Sequence, residues 1–177
     1  MNKSIKTICI TACFTAVISA LSQIAIPTPI GVSVTLQTFA IALTAFLLNF
    51  KLCSLSVICY CLIGSAGAPV FAGFSGGLPV LFGASGGFIF AFPVFAAILS
   101  ATLYVNIPLL KTVLCGVALT VLYAVGTVQF SIVTGNSYIV AISLFIPYFI
   151  KDVAVVAIAY FLGLRLRGNV GRFIHLK

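Results

Sequence analysis

FIFAFPVFAAILSATLY, residues 88–104, decides the fold class. It runs without a charge and without the polar–apolar alternation of a membrane β-barrel strand. With its flanks it approaches the roughly 20 mainly apolar residues that carry a helix across a bilayer. The same texture extends in both directions. No charged residue lies between Lys6 and Lys51, between Lys51 and Lys111, or between Lys111 and Lys151. Of 177 residues, 63% are hydrophobic and 6% charged, against roughly 25% charged in a soluble domain. Ten charges cannot cover so much apolar surface, so the lipid bilayer must be the solvent for most side chains.

Turn residues divide the chain into one all-α domain, 1–177, predicted as a polytopic bundle of six transmembrane helices. The predicted spans are 4–26, 35–49, 51–65, 88–104, 110–133 and 139–164. Pro27-Thr28-Pro29-Ile30-Gly31 ends the first. A glycine- and proline-rich stretch from Gly64 to Gly87 separates the third and fourth. Thr134-Gly135-Asn136-Ser137 ends the fifth. Pro147 is predicted to interrupt the last run as a broken or re-entrant piece. Lys3 and Lys6 before an apolar run resemble a signal peptide, but no small-residue cleavage pattern follows, so the segment is read as the first span.

Charge placement orients the bundle. Lys3 and Lys6, Lys51, Lys111 and the tail cations Arg165, Arg167, Arg172 and Lys177 all fall on one side of a six-span chain. By the positive-inside rule that side, with both termini, is cytoplasmic. The opposite loops, near 27–34, 66–87 and 134–146, carry no charge. Lys151, beside Asp152, is the one cation out of place.

Asp152 is the only acid in the chain. Ionisable groups inside a membrane are costly and mark functional sites, so Lys151 and Asp152 are read as facing a cavity open to the outside. A snorkelling lysine or an internal ion pair is the plainer alternative. The Gly64–Gly87 stretch holds eight of the fifteen glycines. Uncharged irregular backbone is tolerated at a membrane only where it is buried in protein or lines a cavity. It also leaves amides, including those at Gly73, Ser85, Gly86 and Gly87, free for a ligand. The N-terminus of the span that follows offers partial positive charge to an anion.

Other chemistries lack their parts. GFSGG (73–77) and GASGG (83–87) match a serine-nucleophile pattern, but the only histidine, His175, lies in the cytoplasmic tail, so a membrane enzyme lacks an acid–base constellation. No G-K-[ST] follows the glycines, which argues against a phosphate loop. Six cysteines lie in apolar runs without histidine partners and fit no zinc pattern. Neither a metal nor a cofactor is expected. Ala12, Ala16 and Ala20, spaced four apart, give the first helix a small-residue face against which another helix can pack, within the bundle or on a separate subunit.

Four motifs in order resemble the BioY family, the biotin-binding substrate components (S components) of energy-coupling factor (ECF) transporters. They are PTPIGVSVTLQTFAIAL (27–43), IGSAGAPVFAGFSGG (63–77), GASGGFIFAFP (83–93), and TGNSY with IPYFIKDVAVVAIAYFLG (134–138 and 146–163). The resemblance covers essentially the whole chain. It implies an ABC-type importer in a bacterial plasma membrane, whose S component takes biotin from outside. It also implies a transmembrane coupling subunit docking on the alanine-bearing helix, and two cytoplasmic ATPase subunits. On this reading Asp152 accepts the ureido N–H groups. Gln37, Gln129 and Asn136 are candidate polar partners, while Phe71, Phe88 and Tyr148 pack on the rings and tail. The chain departs from the family where a lysine often follows the aspartate by three residues, here Val155, and where some members carry arginine, here Phe90. Carboxylate binding then falls to Lys151 or to helix-terminal amides. An S component for another small vitamin, a membrane enzyme and a passive scaffold are the competing readings.

Overall fold

The structure, a computed structural model, describes residues 3–174. His175 and Lys177 of the cationic tail lie outside the described residues. Six long helices and one short one form the body: α1 (Lys3–Ser22), α2 (Gln37–Leu47), α3 (Phe50–Ser65), α4 (Leu78–Leu81), α5 (Gly86–Ala101), α6 (Pro108–Thr134) and α7 (Tyr138–Ile174). Strands β1 (Ala25–Ile26) and β2 (Val34–Thr35) pair antiparallel and turn the chain between α1 and α2.

Among the described residues, four helices are long and apolar enough to cross a membrane, over Ser4–Ser22, Gly86–Tyr104, Pro108–Thr134 and Tyr138–Gly168. Helices α2 and α3 are apolar but shorter, at 11 and 16 residues. Eleven residues rise only about 16 Å, well under the roughly 30 Å hydrocarbon core. Large apolar side chains stand exposed along the outer helices, among them Leu109, Ile132, Ile139, Ile150 and Phe161. That outside-out distribution is what lipid, rather than water, requires.

Helix ends follow local chemistry. Asn49 caps α3, its side chain accepting from the Leu52 amide at 3.0 Å. Pro108 opens α6 at a position where its missing N–H costs nothing, and Gly135, at φ +71°, ends that helix in the left-handed region. Two prolines lie inside helices. Pro93 leaves the carbonyl of Ile89 without its helical donor, and the Cys61 thiol on α3 approaches that oxygen at 3.7 Å. Helix α7 runs through Pro147 without the predicted interruption, because packing and local adjustment absorb a proline in a membrane helix.

Packing places α2 and α5 at the centre. Helix α2 lies against α7, α5 against α6 and α3, and α1 against α3. Nearly every residue of α2 is buried. Close approach of α5 to α6 depends on glycine: a Cβ on Gly87 would come within 2.7 Å of the Val125 carbonyl and 3.0 Å of Gly126 Cα. A hydrogen bond from the Phe50 amide to the Tyr104 hydroxyl joins the α2–α3 turn to the α5–α6 connection. The β-hairpin and the 66–85 loop cluster at the other end of the bundle, where the cavity opens.

Candidate solute-binding site

Asp152 sits in the middle of α7, 3% exposed. Three side chains hold its carboxylate. Thr38 of α2 donates to Oδ2 at 3.1 Å, and Tyr123 of α6 donates to the same oxygen at 2.7 Å. The Lys151 ammonium stands 2.7 Å from Oδ1 and also donates to the Thr35 carbonyl at 3.2 Å. An ionised carboxylate has about four accepting positions; Oδ2 takes two donors, while Oδ1 is itself buried and, beyond the Lys151 ion pair, has no hydrogen-bond donor. A buried charge without such partners would cost several kcal/mol. The pairing explains how α7 tolerates an acid at this depth.

This carboxylate lies at the polar end of a cavity of about 260 Å³, close to the lower end of the range for ligand pockets, about 300 Å³. Lys151, Gln37, Thr38 and Tyr123 join Asp152 in its wall. Phe71, Phe88, Phe92, Phe145 and Tyr148 supply an aromatic side, and Ser33, Ser75 and Ser85 add hydroxyls near the loops. Ring contacts fix that side: Phe88 meets Tyr123 edge-on at 5.5 Å and Phe145 at 5.1 Å. A small solute with an apolar body and a hydrogen-bonding head suits such a wall.

Two connections cover the cavity. From α7, the Tyr148 hydroxyl lies 2.8 Å from both Thr28 Oγ1 and the Val32 carbonyl, which holds the hairpin loop down. The 66–85 loop folds back so that Phe71 is buried, its ring filling the space beside Gly64 and meeting Tyr60 edge-on at 5.4 Å. Gly73 and Phe74 both adopt positive φ. That double left-handed step brings Phe71 and Ser75 into an isolated bridge. It costs little at glycine and more at phenylalanine. Gln23 on the α1 side holds the strained residue: its Oε1 accepts from the Phe74 amide at 2.7 Å while its Nε2 donates to the Val70 carbonyl at 3.0 Å.

The structure therefore brings seven of the residues singled out from sequence into one wall: Gln37, Phe71, Ser85, Phe88, Tyr148, Lys151 and Asp152. Others lie elsewhere. Gly86 is packed against the Leu81 carbonyl of α4 and the Gln129 side chain, and Gly87 against the α6 backbone, where it permits the close helix crossing. Gln129 spends its Nε2 on the Leu81 and Gly83 carbonyls, at 2.6 and 2.9 Å, tying the loop to α6. Asn136 is exposed and donates to Thr134 Oγ1 beyond the end of α6. Gly73 is exposed on the loop turn. Thr38, Tyr123 and Gln23 escaped the sequence reading. A tyrosine inside the uncharged α6 run is a signal of the same kind as Asp152, but weaker, because tyrosine is also an ordinary packing residue.

Ala12, Ala16 and Ala20 are exposed along α1. The opposite face of α1 carries Thr11, Thr15, Ile18 and Ser22, which are buried. Thr15 Oγ1 donates to the Ser56 carbonyl of α3 at 3.0 Å.

Fold and cavity together define a class: a multi-pass helical membrane protein with a solute-sized cavity walled by α2, α5, α6 and α7. No assembly of acid, base and nucleophile accompanies it among the described residues. The chain belongs to the BioY family, whose family model matches residues 1–172. It is 33% identical over 167 residues to "Probable biotin transporter BioY" of Pyrococcus horikoshii, covering 93% of this chain and 98% of that protein. It is 35% identical over 161 residues to "Biotin transporter BioY" of Thermotoga maritima, covering 87% and 91%. A crystal structure of the S-component for biotin from an ECF-type ABC transporter superposes with a TM-score of 0.75 at 26% identity, over 92% of this chain and 94% of that one. The members are transport components, not enzymes.

Proposed function

We propose that this chain is the S component of an ECF-type importer and that it binds biotin from outside the cell. The observation that carries this reading is the buried Asp152 carboxylate, held on three sides at the polar end of a 260 Å³ aromatic-walled cavity. Biotin's cyclic urea offers N–H donors to that carboxylate, and its thiophane ring and alkyl tail suit Phe71, Phe88 and Tyr148. The carboxylate of biotin would lie toward Lys151, Ser85 or loop amides, given Val155 where the family often has lysine and Phe90 where some members have arginine.

The reading extends to topology and partners. Helices α2 and α3, each with the apolar segments that flank it, complete six spans, with the cavity end outward and the lysine-bearing turns and both termini in the cytoplasm. The one-sided placement of Lys6, Lys51 and Lys111 supports it. The membrane would be a bacterial plasma membrane. The exposed small residues Ala12, Ala16 and Ala20 would receive a helix of the transmembrane coupling subunit, which in turn carries the ATPase subunits. Gly73, Gly86, Gly87, Gln129 and Asn136 would then act on the ligand only indirectly, by shaping the loop and helix ends.

The test is equilibrium binding of labelled biotin to the detergent-purified chain and to Asp152→Asn. Hydrogen bonds to a charged group contribute about 1.5–3 kcal/mol, so the substitution is expected to raise Kd about 10- to 100-fold. Unchanged affinity would remove Asp152 from the site. A thermal-shift panel that included riboflavin, thiamine and niacin, with stabilisation by one of those and not by biotin, would reassign the ligand.

A further inference from the structure

Gln37 lines the cavity at the start of α2 and is 6% exposed. Oxygen and nitrogen ends of a glutamine amide have nearly the same shape, so hydrogen-bond partners must decide which end faces which way. Here a buried chain of hydroxyls decides it. Ser22 Oγ lies 2.7 Å from the Ile18 carbonyl oxygen, which can only accept. The single Ser22 proton is therefore committed to α1. Tyr60 Oη lies 3.1 Å from Ser22 Oγ. With the serine proton spent, the tyrosine must donate to it. Tyr60 then has no proton left for Gln37, and can only accept from Nε2, which it meets at 2.5 Å. Both Ser22 and Tyr60 are 0% exposed, so solvent does not compete for either hydroxyl.

The consequence is felt in the cavity. Gln37 Oε1 has no hydrogen-bond partner among the described residues, and the amide cannot turn without breaking the chain behind it. We infer that Ser22 and Tyr60 are positioning residues that lock Gln37 with its acceptor available to the cavity, and that this acceptor selects a solute N–H. The inference rests on the biotin reading for the identity of the donor. A cyclic urea carries two N–H groups; one would go to the Asp152 carboxylate once the solute opens access to its buried, hydrogen-bond-free Oδ1, and Gln37 Oε1 takes the other. A solute presenting an acceptor at the same place would meet oxygen against oxygen and be rejected.

The experiment measures competition against labelled biotin on the full purified chain, using biotin and its two derivatives methylated at one or the other ureido nitrogen. Tyr60→Phe keeps the ring that packs on Phe71 and removes the hydroxyl. Ser22→Ala frees the tyrosine proton, so the amide can turn and present Nε2. Both variants are expected to raise the Kd for biotin about ten-fold, one net hydrogen bond. Both should leave the Kd unchanged for the derivative methylated at the nitrogen facing Gln37. Discrimination between the two ligands therefore falls. Equal weakening of biotin and both derivatives would mean a merely structural role and overturn the inference, as would unaltered discrimination in both variants. If unsubstituted chain bound no biotin at all, the biotin reading itself would fail and take the donor assignment with it.

Discussion

Tyr123 on α6 and Asp152 on α7 are joined by a 2.7 Å hydrogen bond from the phenol to Oδ2. Thr38 shares that oxygen from α2. One carboxylate thus ties three helices together at the wall of the cavity. The same bonds make the buried charge tolerable and leave Oδ1, paired with Lys151 alone, as the oxygen without a hydrogen bond.

Tyr123→Phe should separate these two roles. The ring contacts with Phe88 and Phe149 survive, at 5.5 and 5.3 Å. The charge-assisted bond is lost, which costs about 1.5–3 kcal/mol of stability. A thermal scan in detergent is expected to show a Tm several degrees lower without biotin. Biotin affinity should change far less than in Asp152→Asn, because Tyr123 bonds Oδ2 and the change leaves Oδ1, the oxygen without a hydrogen bond, in place. An unchanged Tm would show that the bond contributes nothing net.

Tyr148→Phe removes the hydroxyl that holds Thr28 and Val32. Hydrogen exchange at amides 27–34 is expected to quicken, and stopped-flow association and dissociation of biotin should both accelerate. Kd then moves little, since the covering loop is loosened for entry and exit alike. Slower exchange in the hairpin would contradict this account of the cover.

Gly87→Ala tests the crossing of α5 and α6. The added methyl would stand 2.7 Å from the Val125 carbonyl, which is backbone and cannot swing aside. Overpacking of this kind costs about 1–3 kcal/mol. Reduced thermal stability is expected, with weaker biotin binding because Phe88, the next residue, shifts in the wall. Full stability would mean that the helices can separate at no cost.

Ala16→Trp places a large ring on the exposed face of α1. Biotin binding to the isolated chain should be unaffected. Co-purification with the coupling subunit, and biotin uptake by cells, should fall sharply. Intact assembly would move the partner surface elsewhere.

Much of this was legible in the chain because lipid imposes a simple rule. Charge-free runs such as 88–104 become helices, since no other open segment satisfies its backbone in hydrocarbon. The lone acid stood out for the same reason. Pro147 shows the rule's limit: local chemistry predicts a break, yet α7 continues through it. Gly86 and Gly87 show another. Glycine signals close approach, but sequence does not say to what; here the neighbours are the Leu81 carbonyl of α4 for Gly86 and α6 backbone for Gly87. Gln129 and Asn136 read as possible ligand groups because a polar side chain in an apolar chain needs a partner, and theirs proved to be loop carbonyls and a helix end.

By itself the sequence determined a helical membrane protein, the rarity and place of its carboxylate, and its family, because composition, charge spacing and ordered motifs are properties of a line of residues. Tertiary structure decided which polar groups meet. Thr38, Tyr123 and Asp152 are separated by 85 and 29 positions along the chain, and Ser22, Tyr60 and Gln37 come from three helices. Hydrogen bonds act over about 3 Å, so only the packing of α1, α2, α3, α6 and α7 could turn those scattered residues into one polar end and fix the direction of its protons.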